Sequence, residues 1–298
     1  MITRRSLLLA FVVLGAALAA ALTANSQSYE AQREESSQTF KIAPNGRLSL
    51  KNINGSVSIR AWDNDTVKVD TVKHAFTKER LDEARVEIEA TADAIHIETK
   101  YTRSSMNWTD DERGRYNNPA SVEYTITVPR GVELDGIDLI NGDLSLAGLQ
   151  SEVRASSVNG RVTAENLTGR VKLTTVNGLL EATFDQLPES RPVSLSSVNG
   201  QVVVTLPSDA NARLNASTVH GGISNDLGLR VKRGKHVGRN LAAIFGSGGA
   251  RVELSNVNGG IEIRRAADGR PLSPIQDLIP ERQGRDDEDS DTDGGGWR

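Results

Sequence analysis

A short triplet, an aliphatic residue followed by Asn and Gly, recurs through this chain with the same residue types around it each time. With the Asn as origin, seven copies centre on Asn54, Asn141, Asn159, Asn177, Asn199, His220 and Asn258. The following glycines are Gly55, Gly142, Gly160, Gly178, Gly200, Gly221 and Gly259. The residue just before is Ile53, Ile140, Val158, Val176, Val198, Val219 or Val257. Three after stand Val57, Leu144, Val162, Leu180, Val202, Ile223 and Ile261. Four before stand Leu50, Ile137, Ala155, Leu173, Leu195, Ala216 and Leu254. Five after stand Ile59, Leu146, Ala164, Ala182, Val204, Asn225 and Ile263, so only Asn225 breaks an apolar column.

The columns alternate with period two on both sides of the triplet, which is the strand signature. The Asn-Gly pair is expected to make the bend, because both residues tolerate positive φ. His220 is expected to be a turn substitute, since His is also enriched there. Two architectures fit. A hairpin meander would use Asn-Gly as a type I′ turn between antiparallel strands. A β-solenoid would place the triplet at one corner of each coil and segments such as Glu165–Gly169 at the other. The centres from Asn141 to His220 lie 18, 18, 22 and 21 residues apart, a near-constant coil length. Identical residues in one column also favour in-register stacking, in which Asn amides form a ladder. The solenoid is the better reading.

The strings "SSVNGRV", "TTVNGLL", "SSVNGQV" and "SNVNGGIEI" resemble the bacterial β-strand-repeat family known as "putative adhesins", a domain of unknown function. The resemblance covers roughly residues 40–265. It implies a single-stranded parallel β-solenoid of about seven short coils and an extracytoplasmic location, and it brings no catalytic motif with it.

The repeat is interrupted twice, at about 63–133 and 225–250. In the first insertion "TVKVDTVK", "AIHIETKY" and "SVEYTITVP" alternate like strands, and "KERLDEARVEI" begins as a short helix. The expectation is an antiparallel flap or cap over the N-terminal end, because an open solenoid end exposes unpaired backbone. This insertion concentrates Tyr101, Trp108, Tyr116 and Tyr124 in a chain with only 4% aromatics. Trp108 and Tyr116 are candidates for contact with a partner or glycan; packing of the flap is the alternative. The second insertion gathers Arg230, Lys232, Arg233, Lys235 and Arg239. Such a patch could meet an anionic surface polymer, an acidic envelope glycan or lipid; ordinary solvated loop charge is the alternative. Its "FGSGG" lacks the Lys of a phosphate-binding loop.

The ends are distinct. Arg4 and Arg5 precede an apolar run from Leu7 to Leu22, which reads as a signal peptide over 1–26 and an exported protein of the periplasm, cell surface or medium. An uncleaved membrane anchor is the other reading of the same run. With no Cys in the chain, the exported domain must hold together by backbone pairing and packing. Residues 266–298 read as a disordered acidic tail. Its "DSDTDG" has half of a calcium loop without the acid needed at position 12.

No cofactor or metal is expected, since the four His (His74, His96, His220, His236) share no ligand spacing. Catalysis is not expected either: the repeat's outward acids do not cluster, and there is no G-x-S-x-G and no thiol. A net charge of −4 argues against nucleic-acid binding. Two function classes remain. One is an adhesin-like binding module for the cell surface or envelope. The other is a structural or signalling scaffold for another envelope protein.

Overall fold

The structure, a computed structural model, describes residues 32–102, 118–187, 191–234 and 237–279. The chain enters as β1 (Gln32–Lys41) and makes the first repeat copy from β2 (Arg47–Asn54) and β3 (Val57–Trp62). The first insertion supplies β4 (Thr66–Ala75), the helix α1 (Lys78–Glu83), β5 (Ala84–Ala90), β6 (Ala94–Tyr101) and β7 (Ser121–Pro129). Four copies then follow as strand pairs: β8 (Glu133–Asn141) with β9 (Leu144–Ala147), β10 (Val153–Asn159) with β11 (Val162–Glu165), β12 (Val171–Asn177) with β13 (Leu180–Thr183), and β14 (Val193–Asn199) with β15 (Val202–Leu206). The sixth copy is β16 (Ala212–Thr218) and β17 (Ile223–Asn225). After β18 (Lys232–Arg233) and β19 (Arg239–Phe245) comes the seventh, β20 (Ala250–Asn256) and β21 (Ile261–Arg265), and finally β22 (Ile275–Asp277).

Each coil sends the strand before its triplet into one sheet and the strand after it into another, with the apolar columns between them. This is the parallel β-solenoid, not the hairpin meander. Coils stack parallel and in register, pairing Asn54 with Asn141, Asn141 with Asn159, Asn159 with Asn177 and Asn177 with Asn199. The columns four before, three after and five after the Asn are buried, apart from Ile223 and Asn225 of the sixth copy.

The corner works only in part as expected. None of the triplet Asn residues, nor His220, has positive φ; among the described residues Asn166 is the non-glycine that does. Gly55, Gly142 and Gly160 do have positive φ, at 118°, 145° and 145°, and the glycines also answer to the neighbouring coil. A Cβ on Gly142 would lie 2.3 Å from the Gly55 carbonyl oxygen, one on Gly160 2.1 Å from that of Gly142, and one on Gly178 1.9 Å from that of Gly160. The series continues with Gly200 on Gly178, Gly259 on Gly200 and Gly221 on Gly259. Only a residue without Cβ lets the corners approach so closely. The Asn side chains then bridge the coils. Nδ2 of Asn141, Asn159, Asn177, Asn199 and Asn258 each donates to Oδ1 of the preceding Asn in the stack, at 2.9–3.0 Å.

Both series show that space and sequence part company at the end. Asn258 bonds Asn199, and β20 and β21 pair with β14 and β15. The seventh copy therefore sits between the fifth and the sixth, although the even spacing up to His220 predicts simple succession. The physical reason lies in the columns. The seventh copy offers Leu254, Ile261 and Ile263 to a two-sided core, whereas the sixth offers Ala216, Ile223 and Asn225. The weaker coil stands at the end, and His220 replaces Asn where the ladder stops.

Two further columns flank the corner. The residue two before the Asn faces inward: Asn52, Leu139, Ser157, Thr175, Ser197, Asn256 and Thr218 are all at most 4% exposed. Several of them serve the corner. The Asn52 amide donates to the carbonyls of Asn54, Gly55 and Val122, and the Thr218 hydroxyl to that of Gly259. The aliphatic residue just before the Asn faces outward, with Ile140, Val158, Val198, Val219 and Val257 36–44% exposed.

The first insertion closes the N-terminal end by extending both sheets, not by lying across them. β7 adds parallel to β3, followed by antiparallel β4 and β1; β6 adds parallel to β2, followed by antiparallel β5. Residues expected to belong to the tail also return to the domain, since β22 pairs antiparallel with β19.

The ladder predicts that Asn177→Val, which removes two inter-coil bonds, lowers stability by about 1 kcal/mol or more. Asn258→Val, which removes one, should cost less; equal denaturation midpoints for both variants and the parent would refute the ladder. Gly178→Ala should cost about 1–3 kcal/mol through forced separation of the coils. Gly260→Ala, whose nearest contact is 3.7 Å away, should be nearly neutral in the same thermal melt.

Candidate functional site: the basic end of the solenoid

Asn225, the residue that breaks the core column, starts the second insertion. Its side chain turns from the core to the loop, with Oδ1 accepting from the Leu227 and Leu229 amides and Nδ2 donating to the Leu229 carbonyl. The chain then climbs past the last coil. β19 runs antiparallel to β16 along its whole length, and β18 pairs on the far side of β19. That register sets Arg233 directly opposite Arg239, and Lys232 opposite Asn240.

Arg233 and Arg239 share a recess of about 460 Å³ with Val219, His220, Gly221, Gly234, Val237 and Gly238. Arg239 is aimed by an Nη1 bond of 2.6 Å to the Gly221 carbonyl. The His220 amide donates to the Val257 carbonyl, which fixes the corner that forms one wall. Among the described residues no carboxylate lines the recess, and Arg233, Arg239 and Lys232 have no acidic partner. Like charges set directly opposite each other on paired strands are destabilising, so an anion would relieve the arrangement.

Arg230 belongs to a different arrangement. Its Nε and backbone N–H both reach Asp277 Oδ2, at 3.0 and 3.1 Å. Burial raises the Asp277 carboxyl, but bonds from the Ile279 amide and from Arg230 outweigh it and leave the group below the ordinary carboxylate range. Lys235, Trp108 and Tyr116 lie outside the described residues.

Other recesses hold paired charges. One of about 480 Å³ beside Pro207 contains Arg270, which binds Asp209 at 2.9 Å. Nearby, the Ser208 side chain and amide together hold the Asp268 carboxyl down to about 2. At the N-terminal end, a smaller cleft between β1 and β5 contains the Lys73–Glu34 pair. The two described tyrosines of the first insertion are structural: the Tyr124 hydroxyl shares a 2.6 Å bond with Thr99, and the Tyr101 hydroxyl donates to the Ala120 carbonyl. Burial pushes Tyr124 up to about 12 and Tyr101 higher still.

Of the five basic residues gathered in the second insertion, the structure thus brings Arg233 and Arg239 together, with Lys232 one residue away, and neutralises Arg230. Arg239 was legible as part of the charge cluster, but its role was not. Only the antiparallel return of β19 puts it across from Arg233. The contribution of the His220 corner to the wall follows from the inverted order of the last two coils, which the sequence spacing conceals.

No curated protein matches the chain. Among solved structures it is similar to a "putative cell adhesion protein" from Clostridium sporogenes ATCC 15579, at 14% identity and a TM-score of 0.47, covering 79% of this chain and 100% of that one. It is also similar to a "putative adhesin" from Bacteroides fragilis NCTC 9343, at 10% identity and a TM-score of 0.33, covering 78% and 97%. A family model described as Toastrack DUF4097 matches residues 22–264, well over half of the chain. The in-register stack of Asn-Gly corners therefore belongs to a member of the Toastrack DUF4097 family.

Proposed function

We propose that this chain is an exported, non-catalytic, adhesin-like module that binds an anionic polymer of the cell envelope through its basic end. The observation that carries this reading is the opposed Arg233–Arg239 pair in a recess that no carboxylate of the described residues lines. The basic and then apolar N-terminal segment supports export. A phosphate- or carboxylate-bearing chain suits the site because guanidinium groups bind such oxygens in pairs. The rigid stack behind the recess holds it in place without loss of chain entropy on binding.

The test is binding of the full chain to inorganic polyphosphate and to an acidic glycan across a salt series. Arg233→Ser combined with Lys232→Ser should weaken binding about tenfold at low salt and flatten the salt slope by about two, near one for each cation removed. Arg154→Ser should leave binding unchanged, because Arg154 is already engaged by Asp135 and Glu152. Absence of polyanion binding at low salt, or equal losses in both variants, would overturn the reading.

A second reading, a scaffold for another envelope protein, is favoured by one observation. The outward aliphatic column runs unbroken over seven coils, about 29 Å at the usual strand spacing. Val158→Glu with Val198→Glu should then abolish co-purification of a membrane partner while leaving the melting temperature within a few degrees of the parent. Retained co-purification would dismiss it.

A further inference from the structure

The path of the last strand says what stands beside the recess. β16 occupies one side of β19, so β18 and β22 share the other, end to end. β22 pairs Ile275 with Phe245, Gln276 with Ile244 and Asp277 with Ala243, and the Leu278 amide donates to the Ala242 carbonyl. The chain is therefore travelling along β19 toward Arg239, and toward β18 with its Lys232 and Arg233. At Ile279 it stands about two strand residues, or roughly 7 Å, from the opposed arginines. The contact of Asp277 with Arg230 is already an acid of this C-terminal segment bound to a base of the second insertion.

The sequence that follows is ordered in charge. Residues 280–285 include Arg282 and Arg285; then Asp286, Asp287, Glu288, Asp289, Asp291 and Asp293 fall within eight positions. Asp286 is the seventh residue after Ile279, a reach of up to about 25 Å, more than the gap requires. A tethered segment that short meets its site at an effective concentration of about a millimolar.

We propose that the acidic segment 286–293 of the same chain seats in the recess at Arg233 and Arg239, with Lys232 at its edge, and so competes with an external polyanion. The competition rests on the polyanion reading above; the contact itself does not. The acids replace the missing carboxylate partners of the opposed arginines, and an incoming polymer must displace them.

The experiment compares the full chain with a full-length variant carrying D286N, D287N, E288Q, D289N, D291N and D293N. The amide variant should bind inorganic polyphosphate about tenfold more tightly at low salt, and the gap should close near 1 M salt, where charges a few ångströms apart are screened. A labelled peptide of residues 280–298 should bind the amide variant by fluorescence anisotropy and be displaced by polyphosphate. It should not bind the amide variant carrying R233S as well. Equal polyphosphate binding by parent and amide variant, with no peptide binding, overturns the tail contact and leaves the polyanion reading standing. Peptide binding without any polyphosphate binding upholds the contact and removes the polyanion reading. Peptide binding that survives R233S places the acids elsewhere and overturns the proposal. So does a concentration-dependent dimer of the parent that the amide variant lacks, because the tail would then serve a second copy.

Discussion

The structure depends on a contact with no side chain in it. At each corner the glycine of one coil presses on the carbonyl of the glycine beneath, at a distance where a Cβ would stand about 2 Å from oxygen. That approach forces successive corners into strict register, since a slip by one residue would bring a side chain into the gap. Register, in turn, turns a repeated residue into a column. Aliphatic columns fill the space between the sheets, and the Asn column becomes a ladder of amide bonds running the length of the stack. The backbone bonds run the other way: the Gly160 amide donates to Asn177 while the Asn177 amide group donates to Asn159. Each coil is thus tied to both neighbours by donors of opposite direction.

The same contact explains how the chain can place its seventh copy inside its sixth. Nothing in a glycine-on-carbonyl corner depends on which copy lies beneath, so long as the residue after the Asn has no Cβ. Gly259 rests on Gly200 as well as Gly200 rests on Gly178. The choice falls to the core columns, which prefer the better apolar set in the middle. The end coil is where a polar residue can be tolerated, and Asn225 uses that freedom to fold back the loop that carries β18 and β19.

What was legible in the sequence follows from this division. Period-two columns at Leu50, Val57 and Ile59 and their counterparts give the strands, the two-sheet core and the parallel stack, because register and burial follow from side-chain type. The Asn ladder and the positive φ of Gly55, Gly142 and Gly160 were legible, whereas the Asn backbone does not adopt the expected positive φ, because a tight turn and a tight stack select the same residues and only the coil beneath tells them apart. The hydroxyl before the valine faces inward, and at Thr175 it is fully buried. At Thr218 it bonds a corner carbonyl, whereas at Ser157, Thr175 and Ser197 it has no hydrogen-bond partner among the described residues. The coil order is invisible because spacing measures distance along the chain, while pairing is decided by which columns fit.

Where chemistry can gather on such a molecule follows from the columns as well. A charge repeated in one outward column would recur every 4.8 Å or so and repel itself. Some coils interleave signs, although Arg154 also stands opposite Lys172 and Arg213 opposite Arg251. Arg154 meets Asp135 from the neighbouring strand and Glu152 from just before its own, and Arg264 meets Glu181 and Glu262. Polar neighbours do the same more weakly, as when Ser156 donates to Asp138. Arg233 and Arg239 differ in that they lie on antiparallel strands of an insertion, beyond the last corner, where no further coil can bring an acid to them. An anion beside that pair, whether from a polymer or from the acids that follow β22, would relieve its repulsion.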